Sequence, residues 1–187
     1  MLFRSYLIQK NASSSIRYEA SDQGLRFLTF NEISNLEFVD VYLRSPRSRY
    51  LSGVNTFLQH IKRDHPELDY NTAFWFAKKY KFLNRHYMPQ WFWLYNLSRF
   101  INVNTKIRFR SVEDACKITS YYSDAKIQPY SKDFANLLLK DNGDMEFWFY
   151  VDTVLLNLVG SSMTWNNITS MIKQSYPAIA NRVLSQT

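Results

Sequence analysis

The stretch AFWFAKKYKFLNRHYMPQWFWLYNLSRF, residues 73 to 100, combines aromatic and basic side chains in a way that suits binding. It contains three tryptophans, eight other aromatic residues and five cations, and it contains no Asp or Glu. Lysine and arginine contact phosphate oxygens, while aromatic rings stack on bases or fill apolar pockets of a protein partner. This composition predicts a surface that meets an anionic partner, unless the aromatic residues form a core.

Helical spacing would place some of these cations beside aromatic rings. A helix after Asp69 would bury one apolar stripe, formed by Ala73, Phe76, Ala77, Tyr80 and Leu83. The opposite side would present Trp75, Lys78, Lys79 and Phe82, with Trp75 and Lys79 four residues apart. The predicted DNA contacts in this region are Trp75, Lys78, Lys79, Lys81 and Arg85. A protein interface, or packing in which lysine stems cover the aromatics, remains open. We expect at least one of Trp91 and Trp93, on a helix that is apolar nearly all round, to be buried.

Residues suited to catalysis or metal binding are sparse. His60 and His65 are five apart, which is neither a helical pair nor an HExxH motif. The single cysteine, Cys116, excludes an internal disulfide and a cysteine-cluster zinc site. The chain has no glycine-rich phosphate loop and no acidic cluster with metal-ligand spacing. We therefore predict no enzyme activity, no metal and no cofactor.

Two helix pairs have the pattern of helix-turn-helix units. The first comprises residues 54–63 and 70–83, although its connection is longer than the usual three or four residues. The second is TWNNITSMIKQSYPAIANRVLSQ, in which Trp165, Ile168 and Ile172 line one helix and Ile179 and Val183 line the next. Its exposed candidates for DNA contact are Lys173, Asn181 and Arg182. Helical hairpins are also common in proteins that do not bind DNA.

Charge is distributed unevenly along the chain. Residues 1 to 110 hold 17 Lys/Arg and 8 Asp/Glu, a net charge of +9, whereas residues 111 to 187 hold 6 and 8, a net charge of −2. Between Asp69 and Glu113 there are eight cations and no acid. Such segregation suits nucleic acid or an acidic protein partner, and its plainer interpretation is solubility.

The elements that carry these residues are mostly helical. Low glycine content and repeated 3.6-residue periodicity predict a mainly α fold, a single helical domain with a small N-terminal β element. Residues 1–50 are interpreted as a β-rich arm and connector, and residues 51–187 as the helical domain. Predicted helix caps are Asp69, Ser111 with Asp114, Ser131 and Thr164, with Pro177 in a first turn and Gly160 after a helix end. Apolar runs too short for a signal peptide or membrane span predict a soluble cytoplasmic protein.

The middle of the chain, about residues 57 to 160, resembles FlhC, the DNA-binding subunit of the flagellar master transcription activator. FLQHIKRDHPELDYNTAFWFAKKYKFL matches its helix, turn and basic helix, and the proline-containing MPQWFWLYNLSRF precedes SVEDACKITSYYSD. FlhC proteins carry a cysteine-ligated zinc, which one cysteine cannot provide, and the N-terminal fifty residues are additional. The resemblance implies a zinc-free relative that joins an FlhD-like partner subunit, binds promoter DNA and recruits RNA polymerase. The only residues that the resemblance assigns to DNA contact are Lys78, Lys79 and Lys81 of the basic helix.

The leading hypothesis is therefore a DNA-binding transcriptional regulator, a subunit of a hetero-oligomeric activator of a mobile element. The alternative is a non-enzymatic protein-interaction factor of a phage or mobile element, such as an adaptor, an inhibitor or a capsid-associated protein. In that case the aromatic clusters would be interface anchors.

Overall fold

A computed structural model of the protein describes residues 2–3, 5–6, 26–27, 30–79, 84–114, 128–141 and 143–185. Within these residues the fold is mainly helical, as predicted. The helices are α1 Phe30–Ile33, α2 Pro46–Asp64, α3 Tyr70–Lys79, α4 Gln90–Ser98, α5 Pro129–Lys140, α6 Gly143–Leu156, α7 Trp165–Ser175 and α8 Pro177–Leu184. The strands are β1 Leu2–Phe3, β2 Ser5–Tyr6, β3 Arg26–Phe27, β4 Phe38–Leu43, β5 Lys106–Ser111 and β6 Ser162–Thr164.

A small mixed sheet has the strand order β2-β4-β5-β6. The strands β2, β4 and β5 run parallel, and β6 is antiparallel to β5. Because parallel neighbours need a crossover connection, the chain between β4 and β5 passes through α2, α3 and α4. The β component thus extends beyond the predicted N-terminal element. The N-terminal pair β1–β3 is also parallel.

One face of the sheet forms the first of two hydrophobic clusters. Residues of β4 alternate between buried and half-buried, and β5 buries Ile107 and Phe109 between half-buried and exposed residues. Val39 and Val41 lie opposite Ile107 and Phe109. Helices α4, α6, α7 and α8 cover this face with buried side chains such as Trp91, Leu94, Trp148, Val151, Leu155, Ile168, Ile172, Ile179 and Val183. Apolar burial of this kind contributes about 25 cal/mol per Å² and holds the C-terminal helices on the sheet.

The second cluster lies between α2, α3, α5 and α6. It consists mainly of aromatic and small residues, including Tyr50, Val54, Ala73, Ala77, Tyr87, Phe134, Ala135, Leu138, Met145 and Phe149. Tyr50 makes edge-to-face contacts with both Tyr87 and Phe149, at ring-centroid distances of 5.8 and 5.4 Å. Because α6 contributes to both clusters, it joins the α2–α3–α5 group to the sheet.

Several helix boundaries follow the predicted local signals. The Asp69 carboxylate accepts a hydrogen bond from the Thr72 N–H at 2.7 Å, and Thr164 caps α7 through the Asn167 N–H. Ser111 and Asp114 form the reciprocal bonds of a capping box. Helix α8 begins at Pro177, in the predicted first turn.

Other boundaries differ from the prediction. Ser131 does not cap α5, which begins at Pro129; its buried hydroxyl instead donates to the Oδ1 atom of Asn55 at 2.8 Å. Helix α6 ends at Leu156, four residues before Gly160. Gly160 instead has φ +88° and donates to the Phe109 carbonyl, so it serves the turn into β6. The boundary predicted at residue 50 falls inside the continuous helix α2.

Candidate nucleic-acid interface

Helix α3 presents the first part of the candidate site, and two alanines set its orientation. Ala73 and Ala77 are buried against the second cluster, and their small side chains allow close approach of the helix. The stripe predicted from the sequence included Phe76, which is wrong because 37% of Phe76 is exposed. Phe74 takes the inward position and packs edge-to-face on Phe134, with ring centroids 5.5 Å apart. The inward face is therefore rotated from the predicted one.

Trp75 and Lys79 lie together on the outward face of α3, as the four-residue spacing predicted. Trp75 is 51% exposed, and the Nζ atom of Lys79 lies 4.6 Å from the centroid of its ring. The ring of Phe76 contacts Trp75 edge-to-face at 5.0 Å. The result is an exposed apolar surface with a cation held over it, which can pair with an anion and stack on a flat ring.

Lys78, three residues after Trp75 on α3, reaches across to the end of α5. Its Nζ atom pairs with the Oδ2 atom of Asp141 at 2.5 Å. Both side chains are about half exposed, and exposed ion pairs of this type contribute at most about 1 kcal/mol. A phosphate group can therefore replace Asp141 as the partner of Lys78 at little cost in free energy.

Arg85 and Lys81 complete the cations predicted for this region. Arg85 is exposed in the turn before α4, where it lines a groove with His60, Asp64 and His86. Lys81 lies outside the described residues.

The first predicted helix pair corresponds to α2 and α3, which are joined by residues 65–69. This connection is longer than the turn of three or four residues in a helix-turn-helix unit.

The C-terminal hairpin forms as predicted. Tyr176 alone connects α7 to α8, and Ile168, Ile172, Ile179 and Val183 are buried along the seam against the sheet. Trp165 is half-buried and packs on Trp91, with ring centroids 5.3 Å apart. The hairpin is therefore part of the main core and presents a rigid outer surface.

The three residues predicted to contact DNA on this hairpin fall into two groups. Lys173 and Asn181 are exposed and line one open groove with Pro177, Leu184 and Ser185. Arg182 turns towards α6, where it pairs with Asp144 at 2.7 Å and lies over the ring of Phe147 at 4.0 Å. Lys173 and Asn181 thus share a groove that Arg182 does not line.

The junction of α5 and α6 carries the acidic partners of two predicted DNA-contact cations. Asp141, the partner of Lys78, directly follows α5, and Asp144, the partner of Arg182, lies in the first turn of α6. These aspartates are three residues apart, so their Cα atoms are separated by no more than about 11 Å. Lys78 and Arg182, about a hundred residues apart in the sequence, therefore bind carboxylates that lie close together at the junction of α5 and α6.

A buried polar network was missed by the sequence-based reasoning. Asp152 of α6 is buried and accepts hydrogen bonds from the N–H groups of Gln90 and Trp91, at 2.8 and 3.0 Å. It thereby gives hydrogen-bond partners to two N–H groups in the first turn of α4. The side-chain amide of Gln90 accepts a hydrogen bond from the Arg44 N–H and donates one to the Arg44 carbonyl. Burial raises the pKa of Asp152 to about 6. The sequence feature that could have indicated this network is the aspartate, Asp152, within the apolar run VDTVLL.

Arg49 lies beside this network. It is buried, donates to the Met88 carbonyl, and has a pKa lowered to about 10 by burial, an effect that the charge of Asp152 opposes. The two ionisable side chains therefore join α2, α4 and α6. Asp152 and Arg49 both interact with backbone groups and with each other's charge, which is the pattern of a structural network.

The outer face of the sheet carries a second group of cations. Arg108 donates to both carboxylate oxygens of Asp40, at 2.9 and 2.5 Å, and its guanidinium lies 3.4 Å from the centroid of the Phe38 ring. Arg110 also reaches Asp40, at 3.2 Å. Asp40 therefore holds both arginines against the sheet.

No family model matches the chain, and neither a curated protein nor a solved structure matches it significantly. Within the described residues, no three His, Cys, Asp or Glu side chains surround a common metal position. None of the helices in that part of the chain is both long enough and apolar enough to cross a membrane.

Proposed function

We propose that this protein binds DNA with the edge formed by α3, the α5–α6 connection and the C-terminal hairpin, and that it regulates transcription in the cytoplasm. The observation that carries the proposal is the combination of exposed cations with aromatic or amide side chains on α3 and on the hairpin. Lys79 lies over the ring of Trp75 on α3, and Lys173 shares an open groove with Asn181 on the hairpin.

The chemistry of this edge suits a phosphate backbone and the bases next to it. Lys79, Lys173 and Arg85 are exposed and can neutralise phosphates, while Lys78 and Arg182 would exchange aspartate for phosphate. Trp75 offers a face for apolar or stacking contact. Asn181 carries an amide, the group that pairs with adenine through two hydrogen bonds.

The dimensions of the hairpin are also suitable. An α-helix with its side chains is about 10–12 Å in diameter, and the DNA major groove is about 12 Å wide, so the eight-residue helix α8 can lie in it. The seam of the hairpin is buried, so the helix can enter a groove without exposing its core residues. In this docking Lys173 approaches the backbone and Asn181 approaches the base edges.

The activator role and its partners extend the same proposal. The resemblance to FlhC implies that an FlhD-like subunit joins the chain and that the complex recruits RNA polymerase. Exposed apolar residues on neighbouring helices provide a suitable contact area, namely Tyr70 of α3 with Tyr130 and Leu137 of α5. A mobile-element activator would use such a subunit to complete a promoter-binding assembly.

The salt dependence of binding tests the proposal. Affinity for a fluorescently labelled duplex would be measured by anisotropy between about 50 and 200 mM salt, where each phosphate contact contributes about 0.9 to the logarithmic slope. We expect the double variant Lys79→Ala, Arg85→Ala to reduce the slope by about two, and Lys173→Ala by about one. Lys132→Ala is the matched control, because this exposed lysine lies at the opposite end of α5 from Asp141. An affinity that does not change with salt concentration would refute the proposal. Variants whose salt slopes equal that of the Lys132→Ala control would also refute it.

The exposed aromatic residues favour a second candidate function, a protein-interaction factor. Trp75 and Phe76 form an exposed pair, and aromatic residues dominate the binding energy of protein interfaces. In that case the purified protein would retain no nucleic acid. Trp75→Ala would then abolish capture of a host protein, while Lys79→Ala would alter it only slightly.

A further inference from the structure

A cavity lies within the second cluster, where α2, α3, α5, α6 and the turn before α4 meet. Its volume is about 130 Å³. Each of these five elements contributes one buried side chain to its lining: Tyr50, Ala77, Leu138, Met145 and Tyr87. Close-packed protein interiors leave few gaps larger than a water molecule. The cavity therefore has room for an occupant that ordinary core packing would not admit.

The ion pair between Lys78 and Asp141 lies at the rim of the cavity. These two lining side chains are about half exposed, whereas the other five lining residues are buried. Exposed ion pairs are weak, so the two side chains can separate and come together again at little cost in free energy. A small molecule can therefore enter between α3 and the end of α5 without unfolding either helix.

A buried hydroxyl without a partner lines this cavity. Only 3% of Tyr50 is exposed, and its hydroxyl makes no hydrogen bond to any residue that the structure describes. Leaving a buried polar group without a hydrogen bond is costly, so such groups are rare in folded proteins. Burial, followed by the neighbouring Tyr87, raises the pKa of Tyr50 well above its ordinary value. The hydroxyl therefore stays neutral and keeps a proton to donate.

The hydroxyl of Tyr87 offers the complementary group. It donates to the Ala77 carbonyl over a long distance of 3.4 Å, which leaves the lone pairs of its own oxygen able to accept. The rings of Tyr50 and Tyr87 pack edge-to-face, with centroids 5.8 Å apart. One hydrogen-bond donor and one acceptor therefore line the same cavity.

We propose that the cavity binds a small neutral phenol, which is a single aromatic ring with one hydroxyl group. That hydroxyl accepts a hydrogen bond from Tyr50 and donates one to Tyr87, so Tyr50 gains the partner that the described residues do not supply. The ring of the ligand lies against Ala77, Leu138 and Met145. The methionine sulfur suits this place, because thioethers make favourable contacts with aromatic rings.

The cavity and its rim determine the size and the charge of the ligand. An engineered cavity of about 150 Å³ in another protein binds benzene, so a cavity of about 130 Å³ with an opening at its rim accepts one ring and its hydroxyl. Lys78 and Asp141 already neutralise each other. A charged ligand would have to break that ion pair or bury an unpaired charge, whereas a neutral one leaves the pair intact once it has entered.

Titration of the full chain with phenol and with benzene tests the proposal without any DNA, so its outcome does not depend on the proposed function. Calorimetry should show saturable one-to-one binding of both probes, and each should raise the melting temperature as its concentration rises. Phenol should bind more tightly than benzene, because only phenol can pair with the two tyrosine hydroxyls. Binding of neither probe would mean that the cavity holds water only, and equal affinities would mean that the hydroxyls play no part. Either result would overturn the proposal.

Tyr50→Phe locates the hydrogen bond, because it removes the hydroxyl and keeps the ring. Phenol affinity should fall about twofold to tenfold, while benzene affinity should not change. The melting temperature of the unliganded protein should not fall, because the lost hydroxyl has no partner among the described residues. A hydroxyl with a merely structural role would instead lower it. Tyr70→Phe is the matched control, since Tyr70 is an exposed tyrosine of α3 that does not line the cavity.

Ala77→Met tests the cavity itself, because the longer side chain would fill the space beside α3. We expect this variant to weaken the binding of both phenol and benzene. If it impairs folding, Tyr50→Phe still decides the question. A phenol affinity that Tyr50→Phe leaves equal to that of the Tyr70→Phe control would overturn the proposal.

Discussion

Lys79 lies over the indole of Trp75, with Nζ 4.6 Å from the ring centroid, and half of the tryptophan faces solvent. A ring and a cation in this arrangement form a surface that is both apolar and positively charged. A buried tryptophan would instead contribute to the core, and Trp91, fully buried within the first cluster, is such a residue. We therefore expect Trp75 to contribute to binding and Trp91 to contribute to stability.

We expect opposite effects from truncating these tryptophans. Trp91→Ala removes a buried side chain and should lower the free energy of unfolding by about 3–5 kcal/mol. Trp75→Ala should change it by less than about 1 kcal/mol, and should weaken binding to DNA or to a protein partner. Urea denaturation and anisotropy on the same samples would measure both effects. If Trp75→Ala unfolds the protein while Trp91→Ala is tolerated, the assignment of the two residues is wrong.

Asp152 predicts a pH dependence of stability. Burial raises its pKa from 3.8 to about 6, so the native state binds this proton more tightly than the unfolded chain does. Its contribution to stability is therefore fully present below about pH 4 and is lost as the pH rises through 6, by roughly 2–3 kcal/mol. Asp152→Asn removes the titrating group. The difference in unfolding free energy, wild type minus variant, should fall between pH 4 and 6.

Urea denaturation at pH 4, 5, 6 and 7 would measure this difference. Other titrating groups are common to both proteins, so they cancel in the comparison. A difference that grows with pH would mean that Arg49 and the two backbone N–H donors outweigh burial, which would reverse the expected sign.

Gly53 predicts a third effect, on packing. In Gly53→Ala the new Cβ meets the backbone of His86, which cannot yield as a flexible side chain would. We expect a loss of about 1–3 kcal/mol, measured by thermal or urea denaturation. Gly143→Ala is the matched control, since a Cβ there meets nothing within 4 Å. The control should be neutral or slightly stabilising, because alanine favours helices. Equal effects at both positions would show that the close contact is not maintained.

Local features of the sequence were sufficient to predict most helices and several of their ends. The apolar residues Ile168, Ile172, Ile179 and Val183 repeat at helical spacing, and all of them are buried. Asp69 and Thr164 cap the helices that follow them, because a cap needs only a side-chain oxygen and an N–H group a few residues away. Interactions of such short range can be inferred from neighbouring residues.

Strand β5 shows that a local signal was present but overlooked. In KIRFRS, Ile107 and Phe109 alternate with cations, which is the period-2 pattern of a half-buried strand. The rotation of α3 is different, since Phe74 and Phe76 are equally apolar. The inward position belongs to Phe74, because its ring reaches Phe134 of α5, and this long-range contact cannot be read from the residues next to Phe74 or Phe76.

The candidate sites themselves depend on contacts between distant parts of the chain. Asp141 and Asp144 hold Lys78 and Arg182 at the junction of α5 and α6. Tyr50, Leu138 and Met145, from three different helices, line one cavity. Composition showed that cations and aromatics were concentrated in one region, because composition and short-range spacing can be read directly from the residues. Which of those side chains share a surface depends on how α2, α3, α5 and α6 pack, and that packing is a property of the whole fold.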